Sequence, residues 1–280
     1  MNKVLIIGLG LIGGSYAMGL SKKNIEVYAI TKNKEDIVYG INNKIIKGGT
    51  TIVTKDYLSY FDRIIISLYP KDLIEWLETY AQIIKPGTII TDVTGVKGKI
   101  VNKAQEILGD SIEFIGAHPM AGRELSGVKN ADNTIFYDAN YIITPTIKNT
   151  NRGIEFARSI AELLEFKNIS ILSIEKHDEM IAYLSELTHC IAISLMTSKD
   201  DYMNLKDYTG DSFRDLTRIA NINEDLWSEL FLMNKDELLK SMNLFIDDLE
   251  EFRDAIKNED IDYIKDKMRL STSRRKFFNK

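Results

Sequence analysis

The run KVLII at residues 3–7, followed at once by Gly8, Gly10 and Gly13, leaves few folds open to this chain. An apolar run with no alternation reads as a strand buried on both faces, which occurs where helices cover both sides of a sheet. The spacing G-x-G-x-x-G between such a strand and a helix-length segment has a physical meaning at each position. Gly8 permits the tight turn, Gly10 lets the backbone approach a pyrophosphate, and Gly13 lets the helix pack on the strand. The N–H groups that open the helix, those of Leu11 and Ile12 among them, are then donors to phosphate. A dinucleotide cofactor, NAD or NADP, follows from this loop. The second strand, 25–30, ends in Thr31 and Lys32 and not in the carboxylate that usually binds the ribose hydroxyls of NAD. Lys32 suits the extra phosphate of NADP and suits a solvated loop equally well, so the choice of cofactor stays open.

The pattern repeats along the first half. RIIISL from Arg63, TIIT from Thr88 and IEFI from Ile112 are further buried strands, while Pro70 opens an amphipathic helix carrying Leu73, Trp76, Leu77 and Tyr80. Such alternation predicts a doubly wound parallel sheet, with 141–144 as its last strand. Ligands in sheets of this kind sit beyond the carboxyl ends of the strands. Two loops fall there. One is Asp92-Val93-Thr94-Gly95-Val96-Lys97, which makes Asp92 and Lys97 candidate cofactor contacts. The other is GAHPMAGRELSG, 116–127, in which Pro119 is expected to stop the strand, Gly122 and Gly127 to turn the chain, and His118 to stand at the edge just before Arg123 and Glu124. A lone loop histidine most often satisfies a backbone carbonyl, so this stretch needs the rest of the chain to give it a role.

The polar run 148–152 marks a boundary before a helix through Ala157 and Leu164, and beyond the short apolar piece 169–172 nearly everything has helical spacing. A chain of 280 residues that is 44% hydrophobic and 28% charged has room for two globular domains, and a net charge of −5 with no basic block argues against nucleic acid as partner. The single Cys190 excludes an internal disulfide framework and suits a reducing cytoplasm, and three scattered histidines give no reason to expect a metal. The apolar run 180–196 is interrupted by Glu186 and His189, which reads as a buried helix and not a membrane span; Ser185, Glu186 and His189 share one of its faces. Leu238, Met242, Phe245, Leu249, Phe252 and Ile256 alternate steps of four and three, a seam suited to a dimer interface. Within 210–218, Arg214 and Arg218 lie one helical turn apart and suit a dicarboxylate clamp, with a solvated ion-pair face as the bland alternative.

Four ordered motifs, GLGLIGGS at 8–15, DVTGVK at 92–97, GAHPMAGRELSG at 116–127 and GDSFRDLTRIA at 210–220 with Trp227 beyond, make the chain resemble the prephenate dehydrogenase family over essentially its whole length. The resemblance implies an N-terminal Rossmann dinucleotide-binding domain, 1–147, followed by an all-α dimerisation domain, 148–280, in a cytoplasmic homodimer of tyrosine biosynthesis. It implies oxidative decarboxylation of prephenate to 4-hydroxyphenylpyruvate. By motif, His118 is expected to act as general base on the ring hydroxyl, Arg218 to pair with a substrate carboxylate with Arg214 assisting, Glu124 and Asp215 to orient Arg218 at the mouth, and His189 to line the pocket. Three departures stand out. Glu186 replaces the first histidine and Thr188 the proline of the family's S-H-x-P-H pattern, Gly95 stands where a serine is common, and Arg123 where a small residue is. Thr94 thereby becomes the candidate for an assisting hydroxyl, and Arg123 a candidate substrate contact. Arogenate as substrate and a catalytically silent dinucleotide sensor are the rival readings, although a sensor needs neither His118 nor Arg218. No appended regulatory domain or mutase fusion is expected.

Overall fold

The structure, a computed structural model, describes residues 2–123, 125–200 and 203–278; Glu124 lies outside the described residues. Its strands are β1 (Lys3–Ile7), β2 (Glu26–Ile30), β3 (Gly48–Thr50), β4 (Arg63–Ile66), β5 (Ile89–Asp92), β6 (Glu113–Pro119), β7 (Asn140–Thr144) and β8 (Asn168–Ile171). They form one sheet in the order β3-β2-β1-β4-β5-β6-β7-β8. The first six are parallel, β7 is antiparallel to β6, and β8 is parallel to β7.

The unbroken apolar reading of the strands comes from two cores, one on each face. Along β1, Val4 and Ile6 point into one cluster and Leu5 and Ile7 into the other, as the pleat requires. The first cluster is roofed by α1 (Leu11–Lys22) and α6 (Asn151–Leu163) through Tyr16, Ala17, Leu20, Phe156, Ala157 and Ile160. The second is roofed by α4 (Pro70–Tyr80) and α5 (Gly98–Leu108) through Leu73, Leu77, Ile100, Val101 and Ala104. The shorter helices α2 (Lys34–Asn42) and α3 (Lys55–Ser59) complete this half.

The sheet is longer and more mixed than the sequence predicts. It does not end at β7: α6 and β8 continue it to Ile171, beyond the expected division at 147/148. Pro119 does not stop β6 either. Pairing with β5 ends at Ile115, and residues 116–119 pair only with β7, so proline sits on a locally free edge where no ladder donor is required.

Past the sheet come α7 (Ile174–Ile181), a π turn (Ala182–Glu186), α8 (Leu187–Thr197), α9 (Asp211–Thr217) and α10 (Glu224–Met233). The stretch expected as one buried helix is α7 and α8 joined through the π turn, and it is mostly uncovered in the single chain: 28% of its most apolar window is buried, with Leu195 and Met196 exposed. By length and composition it could cross a membrane, a test that apolar helices of other kinds also pass.

The chain divides into two units, Met1–Asn234 and Lys235–Lys280. The second is an antiparallel pair, α11 (Lys235–Lys257) and α12 (Ile261–Arg275), whose turn is capped by Asp260 accepting from the Tyr263 amide at 3.0 Å. Tyr263 Oη donates to Glu251 at 3.0 Å and Lys267 Nζ to Asp248 at 2.5 Å. Along the predicted seam of α11, Leu238 is buried, whereas Leu249 and Ile256 remain 53% and 56% exposed.

Candidate active site

The strand order reverses at β1, which pairs with β2 on one side and β4 on the other, and the glycine loop leaves β1 at that switch point. Each glycine meets its expected constraint. Gly8 has φ +93°, and a Cβ there would lie 2.3 Å from the Ser67 carbonyl oxygen. A Cβ on Gly13 would lie 2.0 Å from the Gly8 carbonyl oxygen, while around the Cβ position of Gly10 nothing lies within 4 Å. Close packing at the first and third positions therefore leaves open space at the second. No side chain caps α1 and its first turn carries no acid, so the amides of Leu11 and Ile12 open a helix N-terminus suited to pyrophosphate. At the end of β2, the Thr31 amide bonds the Thr50 carbonyl at 3.3 Å, and the Lys32 ammonium is 85% exposed with Asp72 3.8 Å away.

Asp92, Thr94 and Lys97 play a different part from the one the sequence suggests. Asp92 and Lys97 are wholly buried and paired at 2.5 Å, so neither faces a cofactor. The Thr94 hydroxyl is buried with them, donating to Asp92 Oδ2 and accepting from Lys97 Nζ at 3.0 Å, and so is not turned toward a substrate. The other Asp92 oxygen accepts from the Ala117 amide at 3.0 Å. The cluster thus ties the end of β5 to the residue before His118: it sets the imidazole's position from beneath. An acid and a base five residues apart on a strand-end loop satisfy each other when the loop folds back over its own strand, which spacing alone does not reveal.

His118 lies in β6, opposite Ile142 of β7, and is half-buried. Its Nδ1 is 2.9 Å from Nε2 of His177, a fully buried residue of α7, whose Nδ1 is 2.7 Å from Asp178 Oδ1. Asp178 also accepts from the amides of Lys97 at 2.9 Å and Gly98 at 2.7 Å, at the start of α5. A Cβ on Gly98 would lie 2.9 Å from that carboxylate, so glycine permits the approach. Burial, then the neighbouring His177 and Lys97, push the His118 imidazole well below its usual range, which keeps it neutral at physiological pH. Burial would raise the Asp178 carboxyl, but the bonds from His177 and the Gly98 and Lys97 amides outweigh it and hold it low. His177 and Asp178 are the site residues missing from the sequence reading. The available signal was a His-Asp pair in the first turns of an apolar helix, and it was weak without knowledge of what that helix packs on.

The far ring nitrogen of His118, Nε2, lies 3.9 Å from where a Cβ on Gly95 would stand, and that position is 3.3 Å from Leu230 of α10. One turn earlier on α10, Trp227 stacks on His189, with ring centroids 3.6 Å apart. Leu230 and Trp227, three residues apart, lie on one face of α10. The Nδ1 of His189 bonds the Ser185 carbonyl at 2.8 Å. Helix α10 is fastened to the dinucleotide-binding half by Asn223 to Tyr69 Oη at 3.1 Å, the Lys71 amide to Glu229 at 3.2 Å, and Lys99 to the Leu232 carbonyl at 3.2 Å.

The remaining predicted residues are more peripheral. Arg218 is exposed in the short 3-10 turn Arg218–Ala220, which packs against α8. Arg214 pairs with Asp211 at 2.6 Å and donates to the Thr209 carbonyl at 3.1 Å, the solvated ion pair of the bland reading. Asp215 is exposed on α9. Arg123 gives its guanidinium to Asp132 at 2.8 Å, closing its own loop. Among the described residues no cluster of metal-ligating side chains occurs. The surface cavity lined by Thr88, Gln105, Ile112 and Arg152 opens at the amino ends of β5 and β6, away from the glycine loop.

Residues 17–170 match the family model for the prephenate dehydrogenase nucleotide-binding domain, and residues 173–270 that for the prephenate dehydrogenase dimerization domain. The chain is 32% identical to prephenate dehydrogenase of Lactococcus lactis subsp. cremoris over 93% of its length and 73% of that protein. It is 30% identical to the Bacillus subtilis prephenate dehydrogenase, over 92% and 71%. Prephenate dehydrogenase from Aquifex aeolicus, solved with hydroxyphenyl propionate and NAD+, superposes with a TM-score of 0.90 at 28% identity, covering 100% of this chain and 99% of that one. The Synechocystis arogenate dehydrogenase shares the fold, with a TM-score of 0.85 at 24% identity over 99% and 100%.

Proposed function

Because the chain belongs to the prephenate dehydrogenase family, we propose that it converts prephenate to 4-hydroxyphenylpyruvate by oxidative decarboxylation, with NAD+ or NADP+ as oxidant. The observation that carries this reading is His118: Nδ1 is engaged by a buried partner, and Nε2 lies on the Gly95 side, at the carboxyl edge of the sheet that carries the glycine loop. The bound dinucleotide supplies the hydride acceptor. His118 Nε2 accepts the proton of the C4 hydroxyl as the C4 hydrogen leaves as hydride. The same nitrogen returns that proton to the oxygen when loss of carbon dioxide makes the ring aromatic, so that the histidine ends as it began.

Prephenate carries two carboxylates, one of which departs neutral. A cation should therefore hold the carboxylate that stays and leave the other unpaired. Arg218 is proposed for this role, on the turn packed against the helix that bears His189. Arg218→Ala is expected to raise the KM for prephenate by about 10- to 100-fold, the worth of one charge-assisted bond, with kcat changed far less. Arg214→Ala should do less, because its guanidinium is already paired with Asp211 in solvent. Equal effects of the two substitutions, or a fall in kcat alone for Arg218→Ala, would remove this assignment.

A second copy of the chain is proposed to cover the exposed apolar face of α8, giving a cytoplasmic homodimer; the match to a dimerization domain supports this. Arogenate is the rival substrate, favoured by the shared fold of the Synechocystis enzyme and by 29% identity to a cyclohexadienyl dehydrogenase of Zymomonas mobilis over 93% of this chain. The deciding experiment is a matrix of prephenate and arogenate against NAD+ and NADP+, followed by reduced cofactor. Turnover of prephenate with either dinucleotide supports the proposal; turnover of arogenate alone, or of neither, overturns it.

A further inference from the structure

A neutral imidazole has one N–H and one lone pair, and a base works only if the lone pair faces the proton it must take. For His118 that choice is made two residues away. The Asp178 carboxylate receives the Lys97 and Gly98 amides and is held ionised, so it has no proton to give. The 2.7 Å contact with His177 Nδ1 must then be an N–H donated by the ring. A neutral His177 with its proton on Nδ1 presents a lone pair at Nε2. The 2.9 Å contact from there to His118 Nδ1 must be donated by His118. Nothing remains for His118 Nε2 but the lone pair, on the side of Gly95.

We propose that His177 and Asp178 are positioning residues for His118: as a hydrogen-bonded relay anchored on the α5 amides, they hold its ring in the Nδ1–H tautomer with Nε2 as the proton-accepting atom. The relay also answers the charge that arises when Nε2 is protonated. The His118 imidazolium donates to His177, which donates to a carboxylate, so the positive charge is met by an anion through two bonds. The other charged or titratable groups around the pair are Lys97 and Asp92, which neutralise each other, and Glu186 behind Asp178. The inference rests on the reading of His118 as the base, but its tautomer can be measured without turnover.

The chain has only three histidines, so selective imidazole 15N labelling gives a short list of ring signals to assign in the intact protein. His118 is expected to show a protonated Nδ1 and a bare Nε2. His177→Gln supplies an amide oxygen where Nε2 was and should keep both the tautomer and turnover within about tenfold, whereas His177→Met fills the space without an acceptor and should lose both, turnover falling by about 10²- to 10⁴-fold at little change in KM. A packing role would treat the two substitutions alike. A His118 ring protonated at Nε2 in the wild type, or a His177→Met variant that keeps tautomer and turnover, overturns the relay. A correct tautomer combined with a catalytically competent His118→Asn would instead leave the relay standing and remove the role of His118 as base.

Discussion

Replacing His118 by asparagine should lower turnover by about 10²- to 10⁴-fold, the usual worth of a positioned general base, while the KM for prephenate changes only a few-fold. Asparagine is chosen because its amide nitrogen stands near the place of Nδ1. It can still donate to His177 across the 2.9 Å contact, so the buried partner is not left without a bond. What disappears is Nε2, the atom on the Gly95 side. Since the ring is held neutral by burial and by Lys97, the wild type has the base form ready at neutral pH, and the variant has none. Steady-state kinetics beside a thermal melt checks this. An unchanged melt with a collapsed kcat supports the assignment, and near-wild-type turnover refutes it.

How much of this site was legible beforehand follows from which interactions are local. The glycine loop was fully legible, because each glycine answers to a neighbour a few residues away or to the strand beside it. The parallel strands β1, β2, β4, β5 and β6 were legible because burial on both faces leaves an apolar run, whereas β3, Gly-Gly-Thr and only partly buried, has no such run and was not. β8 showed only as a short apolar piece at 169–172 and not as a strand: at the sheet's edge Asn168, Ser170 and Ile171 are exposed, and so short a run does not separate strand from loop. The π turn was hidden for a related reason, since it changes the register of a helix without changing its composition. Charged residues were the least legible. Asp92 and Lys97 are placed by sequence at a ligand-binding edge, and they are at that edge, but turned inward on each other. His177 lies in a helix that could be placed only after the π turn and the contact between Asp178 and the start of α5 were known. Local rules predict where a polar side chain starts, and tertiary packing decides where it ends.

Glu186 shows the same lesson and gives the largest expected effect on stability. It is 1% exposed, its Oε2 accepts from Asn234 at 2.9 Å, and its Oε1 has no partner among the described residues. Burial, opposed by the Asn234 bond and helped by the nearby Asp178 anion, pushes its carboxyl from 4.5 up to about 8. The folded state therefore holds a proton there that the unfolded state releases near its ordinary carboxylate range. Stability from this group is complete below that range and is lost as pH rises through the folded value, at about 1.4 kcal/mol per pH unit and at most about 5 kcal/mol in all. Glutamine has the same shape and stays neutral at every pH. Urea melts from about pH 5 to about pH 9 should show Glu186→Gln matching the wild type at the acid end and exceeding it by several kcal/mol at the alkaline end, since other titrating groups cancel in the difference. Parallel curves would mean that Glu186 is ionised in the folded protein. That outcome would reach the site itself, because Asn234 also donates to the Asp178 carbonyl at 2.9 Å, and a second full anion behind Asp178 would compete for the charge that the His118 relay directs to it.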